Sequence, residues 1–211
     1  MLAVSSSKLW PRGPTNQLHK AAYHGSADRV DAFLTTESVD INQGNPKGWT
    51  PLMLATEKGH SRAAKSLLKR GVDVSVIGDG GFTALLASAQ SGQQAIAKML
   101  VKARANLGAR TSTAPRRFTL LCRGHSGVMR VLLEAGANPN SRRSDGATPL
   151  FSAALGGYID VVRELLQRQA NALLASHGYS EVVHELIQQL GVRGWGGMSG
   201  GVESLRLAAT E

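Results

Sequence analysis

The stretch GWTPLMLATEKGHSRAAKSLLKRGVDVSVIGDG, Gly48 to Gly80, decides the fold. Thr50 is placed as a helix N-cap, its hydroxyl able to accept from a free backbone N–H of the first turn. Pro51 suits the first helical position, where no N–H is needed. Leu52, Leu54 and Ala55 then face inward, and Gly59 supplies a sharp reversal that other residues resist. In the second helix Ala63, Ala64, Leu67 and Leu68 keep the three-to-four-residue spacing of one buried stripe, and Gly71 ends it as a C-cap glycine. Two short helices cannot cover both of their apolar sides, so this unit requires neighbours.

Neighbours are present at a fixed interval. Gly25, Gly59, Gly92, Gly124 and Gly157 are 34, 33, 32 and 33 residues apart, each between two apolar helical stretches. Gly48, Gly81 and Gly146 each stand 11 residues before a member of that set. A second good copy begins at Gly146 with GATPLFSAALGGYIDVVRELLQRQAN. These copies resemble the ankyrin repeat, with its helix opened by T-P-L, G-H-type turn, second helix ending in L-L, and hairpin after G-A-D-V-N. The matching residues are Thr50, Pro51, Leu52, Ala55, Gly59, His60, Leu67, Leu68, Gly71, Asp73 and Val74. The resemblance covers roughly residues 16 to 211. It implies an all-α repeat solenoid of stacked helix-turn-helix units with connecting β-hairpin loops.

The units are expected at about 16–47, 48–80, 81–112, 113–145 and 146–171, followed by a shortened copy at 172–200 and a half-unit at 201–211. Residues 1–15 read as a disordered lead-in. Their lack of acids, with Lys8, Arg12 and several serines, loosely fits a mitochondrial transit peptide, but WPRGP breaks helices and the repeat starts near Asn16. The first unit is capped by Asn16, with Gln17 in the proline position. The third has Ala84 for proline and Ala103 in the place read as the C-cap glycine. The fourth is weakest, since Arg116 and Arg117 stand where proline and leucine belong. Burial of such charges is costly, so the segment 113–124 is expected to be the least protected part of the array. The final unit stops after its first helix, which leaves apolar surface uncapped.

Composition narrows the function classes. With 42% hydrophobic residues among 211, a sizeable core is affordable. No apolar run approaches the roughly 18 residues that a spanning helix requires. Cys122 is the only cysteine, which excludes a disulfide scaffold or thiolate zinc site and points to a reducing intracellular compartment, cytoplasm or nucleus. The net charge of +9 is uneven: Lys98 to Arg143 holds 10 basic residues and only Glu134, and removing that stretch leaves 14 of each sign.

Enzyme-like signals dissolve into the repeat. GHSGV, Gly124 to Val128, lacks the final glycine of a nucleophile elbow and occupies a G-H turn. His60 and His125 share a register without accompanying carboxylates, and His19 sits where the ankyrin resemblance implies a structural imidazole. His184-Glu185 has Gln188 where a zinc protease needs histidine, and Gly191 to Gly201 lacks G-K-[ST]. No cofactor, metal or catalytic residue is expected.

What remains is a binding face. The resemblance implies partner contacts after the opening glycines, at Trp49 and Phe82, at the ends of the first helices, such as Glu57, Lys58, Gln90 and Ser91, and at the hairpin tips. Arg110, Arg116, Arg117, Arg123, Arg142 and Arg143 form a basic belt suited to carboxylate or phosphate. A non-catalytic scaffold or adaptor, acting as a monomer on an acidic protein segment, is the leading expectation. Nucleic acid or anionic lipid on the belt is the alternative, weakened because only Phe118 interleaves aromatic character with the arginines. Leu34, Asp40, Ile41 and Asn42 also resemble the pattern by which ankyrin repeats become substrates of an asparaginyl hydroxylase, which makes Asn42 a possible modification site.

Overall fold

The computed structural model describes residues 16–36, 39–107, 124–142 and 146–170. Among them lie helices α1 (Gln17–Tyr23), α2 (Ala27–Thr36), α3 (Pro51–Glu57), α4 (Ser61–Lys69), α5 (Ala84–Gln90) and α6 (Gln94–Lys102). Three more follow: α7 (Ser126–Glu134), α8 (Pro149–Leu155) and α9 (Ile159–Gln167). The lead-in 1–15, the first helix of the fourth unit, and the last two units fall outside the described residues.

The first helices start as their capping residues dictate. Asn16, Thr50, Thr83 and Thr148 each accept, through a side-chain oxygen, the N–H of the residue three positions on: His19 at 2.9 Å, Met53 at 3.3 Å, Leu86 at 3.2 Å and Phe151 at 3.2 Å. Each cap stabilises its helix by about 1 kcal/mol. Pro51 and Pro149 occupy the first helical turn.

Packing proceeds in two layers. α3 packs between α1 and α5, and α4 between α2 and α6; α6 meets α7, and α7 meets α9. Equivalent positions therefore stack into columns. Leu67, Leu100, Leu132 and Leu165 are all fully buried, as are Ala63, Ile96, Val128 and Val161. Each buried leucine contributes roughly 2 kcal/mol, so one column continues across the stack as a single core. The small residues Ala55, Ala63, Ala64, Ala97 and Ala153 are wholly covered, which lets the helices approach closely.

The loops are less sheet-like than the β-hairpin expectation. Among the described residues the pairing is one isolated antiparallel bridge between Gly78 and Phe82, with Gly78 N donating to Phe82 O at 2.8 Å. Other backbone bonds and side chains join the loops: Asp79 N donates to Lys47 O at 3.1 Å, Asn42 Oδ1 accepts from Asp73 N at 2.8 Å, and Asn140 Nδ2 donates to Gln169 O at 3.3 Å.

Helix ends correct one sequence assignment. Gly71 and Gly136 adopt the left-handed conformation, with φ of +76° and +91°. In the third unit the left-handed residue is Arg104, φ +61°, and Ala103 is the right-handed residue before it; in the fifth it is Gln169, also φ +61°. The backbone reversal is retained there by residues that pay steric strain of about 1 kcal/mol. Arg104→Gly should therefore stabilise the chain by about 0.5–1 kcal/mol in denaturant unfolding. A Cβ on Gly71 meets nothing within 4 Å, whereas one on Gly25 would sit 2.5 Å from His60 Nδ1. Gly71→Ala should cost about 1 kcal/mol from backbone strain alone, and Gly25→Ala distinctly more.

Candidate partner-binding surface

Trp49, the residue before the Thr50 cap, is fixed from several sides. Asn45 Oδ1 accepts from Trp49 N at 3.0 Å and from Lys47 N at 2.9 Å, and Asn45 N donates to Trp49 O at 2.9 Å. The left-handed Gly48, φ +66°, turns the chain into this arrangement. Asp79 N donates to Lys47 O at 3.1 Å, which ties the next loop to it. In the third unit Gly81, φ +74°, presents Phe82 in the same register.

As a result the two large aromatics meet. The Trp49 and Phe82 ring centroids are 5.2 Å apart with the planes inclined at 32°. Both rings are half-buried, and Trp49 also packs on the core. Trp49 is thus partly covered by the core and partly accessible. Backbone bonds to Trp49 O and Phe82 O hold both residues of the pair in place.

Beneath Trp49 lies His19, which is buried. Its Nε2 is 3.1 Å from Trp49 O and its Nδ1 is 2.8 Å from Asn16 Oδ1. Desolvation by burial holds its pKa below the usual histidine value, partly offset by the hydrogen bonds to the Trp49 and Gln43 backbone. A neutral ring donates through one nitrogen only, so in either tautomer one ring nitrogen faces its oxygen neighbour without a proton.

The ends of the first helices carry polar side chains in the first three units. Lys58 Nζ lies 3.6 Å from Glu57 Oε2 and 4.9 Å from the centre of the Tyr23 ring. Gln90 is exposed at the position equivalent to Glu57, and the exposed Leu155 takes that position in the fifth unit. Of the basic belt, Arg142 is described and is exposed; Arg110, Arg116, Arg117, Arg123 and Arg143 lie outside the described residues. Asn42 is half-buried, and its Oδ1 carries the inter-loop bond to Asp73.

Counting charge by stretch missed how cations are arranged by register. Lys65, Lys98, Arg130 and Arg163 occupy one position in α4, α6, α7 and α9, a column legible from their spacing of 33, 32 and 33 residues. Arg130 is consumed internally: its Nε donates to Glu164 Oε2 at 3.0 Å, and Glu164 is buried. Arg168 completes the network, 3.5 Å from Glu134 Oε1 and 3.9 Å from Glu164 Oε1.

Among the described residues, no group of three or more His, Cys, Asp or Glu is placed to hold a metal ion, and no helix is long and apolar enough to cross a membrane. The class defined by fold and surface is a helical repeat solenoid that displays side chains along an array of loops and helix ends. A family model for ankyrin repeats (3 copies) matches residues 18–111 and 118–176, and the chain belongs to the ankyrin-repeat family. A Fowlpox virus (strain NVSL) protein described as an ankyrin repeat protein is 30% identical over 69 residues, which is 33% of this chain and 9% of that protein. The ankyrin repeat and KH domain-containing protein mask of Drosophila melanogaster is 46% identical over 55 residues, 26% of this chain and 1% of its own. This chain thus spans less than a tenth of either relative. Among solved structures, the human ASB11 ankyrin repeat domain superposes with a TM-score of 0.73 at 23% identity, covering 84% of each chain, which shows the shared fold. Ankyrin repeats are in general protein–protein interaction modules without catalysis of their own.

The His19 site generates a pH prediction. Because its folded pKa is lowered from 6.5, the unfolded chain takes up the proton first as pH falls. Stability should be fully retained above that value and decline below it until the folded-state pKa is passed. Thermal melts across this range should show the decline in the parent chain, and a smaller one in His19→Gln.

Proposed function

We propose that this chain is a non-catalytic scaffold or adaptor that acts as a monomer inside the cell, in cytoplasm or nucleus. Its protein partner engages the loop and first-helix face. The Trp49–Phe82 pair, 5.2 Å between centroids, is the observation that carries this reading, because rigid, half-covered aromatics in adjacent repeats suit an interface hot spot. Arg110, Arg116, Arg117, Arg123, Arg142 and Arg143 supply the electrostatic part. They pair with an acidic segment of the partner, raise its rate of encounter and make binding sensitive to salt.

Asn42 belongs to this proposal as a site for an asparaginyl hydroxylase. Addition of one oxygen atom there, next to the bond that its Oδ1 accepts from Asp73 N, would modify the loop edge of the array. Incubation with such an enzyme followed by intact-mass analysis should show the gain in the parent chain and none in Asn42→Ala.

Two variants test the interface. Phe82→Ala should weaken partner binding by about 2 kcal/mol, roughly 30-fold, while leaving helical content unchanged. Arg116→Ser, Arg117→Ser, Arg142→Ser and Arg143→Ser combined should lower affinity and flatten its salt dependence with little change in melting temperature. Pull-downs at low and high salt, with nuclease treatment, separate a protein partner from captured nucleic acid. Unchanged binding in both variants would refute the assignment of the face.

A further inference from the structure

The second-helix layer carries a charged surface of its own, apart from the Trp49–Phe82 pair. In the column at Lys65, the flanking repeats neutralise their cations: Arg130 is paired with Glu164, and Arg163 Nη1 lies 3.4 Å from Asp160 Oδ1. In α2 the equivalent position is Asp31, whose Oδ2 accepts from Ser66 Oγ at 3.0 Å. Between these limits α4 and α6 contain no acid at all.

Their solvent sides repeat one another. Lys65 and Lys69 are a turn apart on α4, Lys98 and Lys102 a turn apart on α6, and α4 packs on α6. The four backbone positions therefore stand roughly 6 Å apart along the helices and about 8–10 Å apart across them, close enough for their ammonium groups to form one patch. All four lysines are exposed, as is Arg62 one turn before Lys65. Among the described residues none of the five takes part in an ion pair.

The composition of this face selects its ligand. The exposed large apolar residues among those described are Ile77, Leu155 and Ile159, none of them on α4 or α6. Protein interfaces usually have an apolar centre and inserted amphipathic helices an apolar face, and neither α4 nor α6 turns a large apolar side chain to solvent. No aromatic residue lies on either helix to stack on an unpaired base. Lysines at this density without apolar or stacking groups suit a polymer of phosphates read by charge alone.

We propose that the solvent face of α4 and α6 binds the phosphate backbone of duplex nucleic acid without sequence preference, through Lys65, Lys69, Lys98 and Lys102. This site is separate from the protein-binding face, so the failure of either leaves the other standing. The test uses the full chain and fluorescein-labelled duplexes of two unrelated sequences, followed by anisotropy. Four phosphate contacts should raise Kd roughly 100-fold between about 50 and 200 mM salt, equally for both sequences. Combined Lys65→Gln, Lys69→Gln, Lys98→Gln and Lys102→Gln should remove most of that salt slope and most of the low-salt affinity, with the melting curve preserved. The proposal is overturned if the parent chain does not bind duplex at low salt, or if the lysine variant binds as the parent does. It is also overturned if the variant loses binding to phosphatidylserine vesicles or polyglutamate while retaining duplex binding.

Discussion

The stack depends on a contact made at four described turns between paired helices, those of Gly25, Gly59, Gly92 and Gly124. The residue after each turn glycine reaches back under the glycine of the preceding unit. His60 lies beneath Gly25, Gln93 beneath Gly59, His125 beneath Gly92 and Tyr158 beneath Gly124. A Cβ on those glycines would stand 2.5, 2.7, 2.6 and 3.1 Å from the nearest atom of the incoming side chain. Each glycine also has φ between +69° and +84°. Only a residue without a side chain meets both demands, so the turn and the seam between repeats are fixed together. His60 adds a directional bond, its Nε2 donating to Tyr23 O at 3.0 Å.

Register follows from that seam. Once each unit is seated on the last, leucines fall under leucines and the core runs unbroken from Leu67 to Leu165. The surface is ordered by the same rule. Trp49 meets Phe82 because both precede a cap in neighbouring units, and Lys65 stands beside Lys98 because both open the middle turn of a second helix. A repeat protein of this kind needs no cleft, since equivalent positions displayed at a constant interval already make an extended binding surface.

Much of this was legible in the sequence. The Thr50 cap, the Pro51 start, the Gly59 reversal and the buried Ala63–Leu67 stripe are local, and the structure places each as its residue type requires. The left-handed position in the third unit falls one residue beyond Ala103, on Arg104, because no glycine marks it and Arg104 adopts the strained conformation. In the described loops, backbone bonds such as Asn45 N to Trp49 O and Gly78 N to Phe82 O are joined by side-chain bonds of Asn42, Asn45 and Asp73, a division that sequence spacing alone does not display. The Glu164 network could not be read from charge counts, because Arg130 and Glu164 are 34 residues apart and meet only through the stack. Arg130, within the basic stretch Lys98 to Arg143, is engaged in holding repeats together.

If the glycine seam sets the architecture, damage to one seam should stay local, because each unit touches only its neighbours. Hydrogen exchange on the full chain carrying Gly92→Ala measures this directly. The account predicts faster exchange in α5, α6 and α7, which flank the seam, with α1 and α2 retaining their protection. Uniform loss of protection from α1 to α9, or no change at α5 to α7, would contradict it.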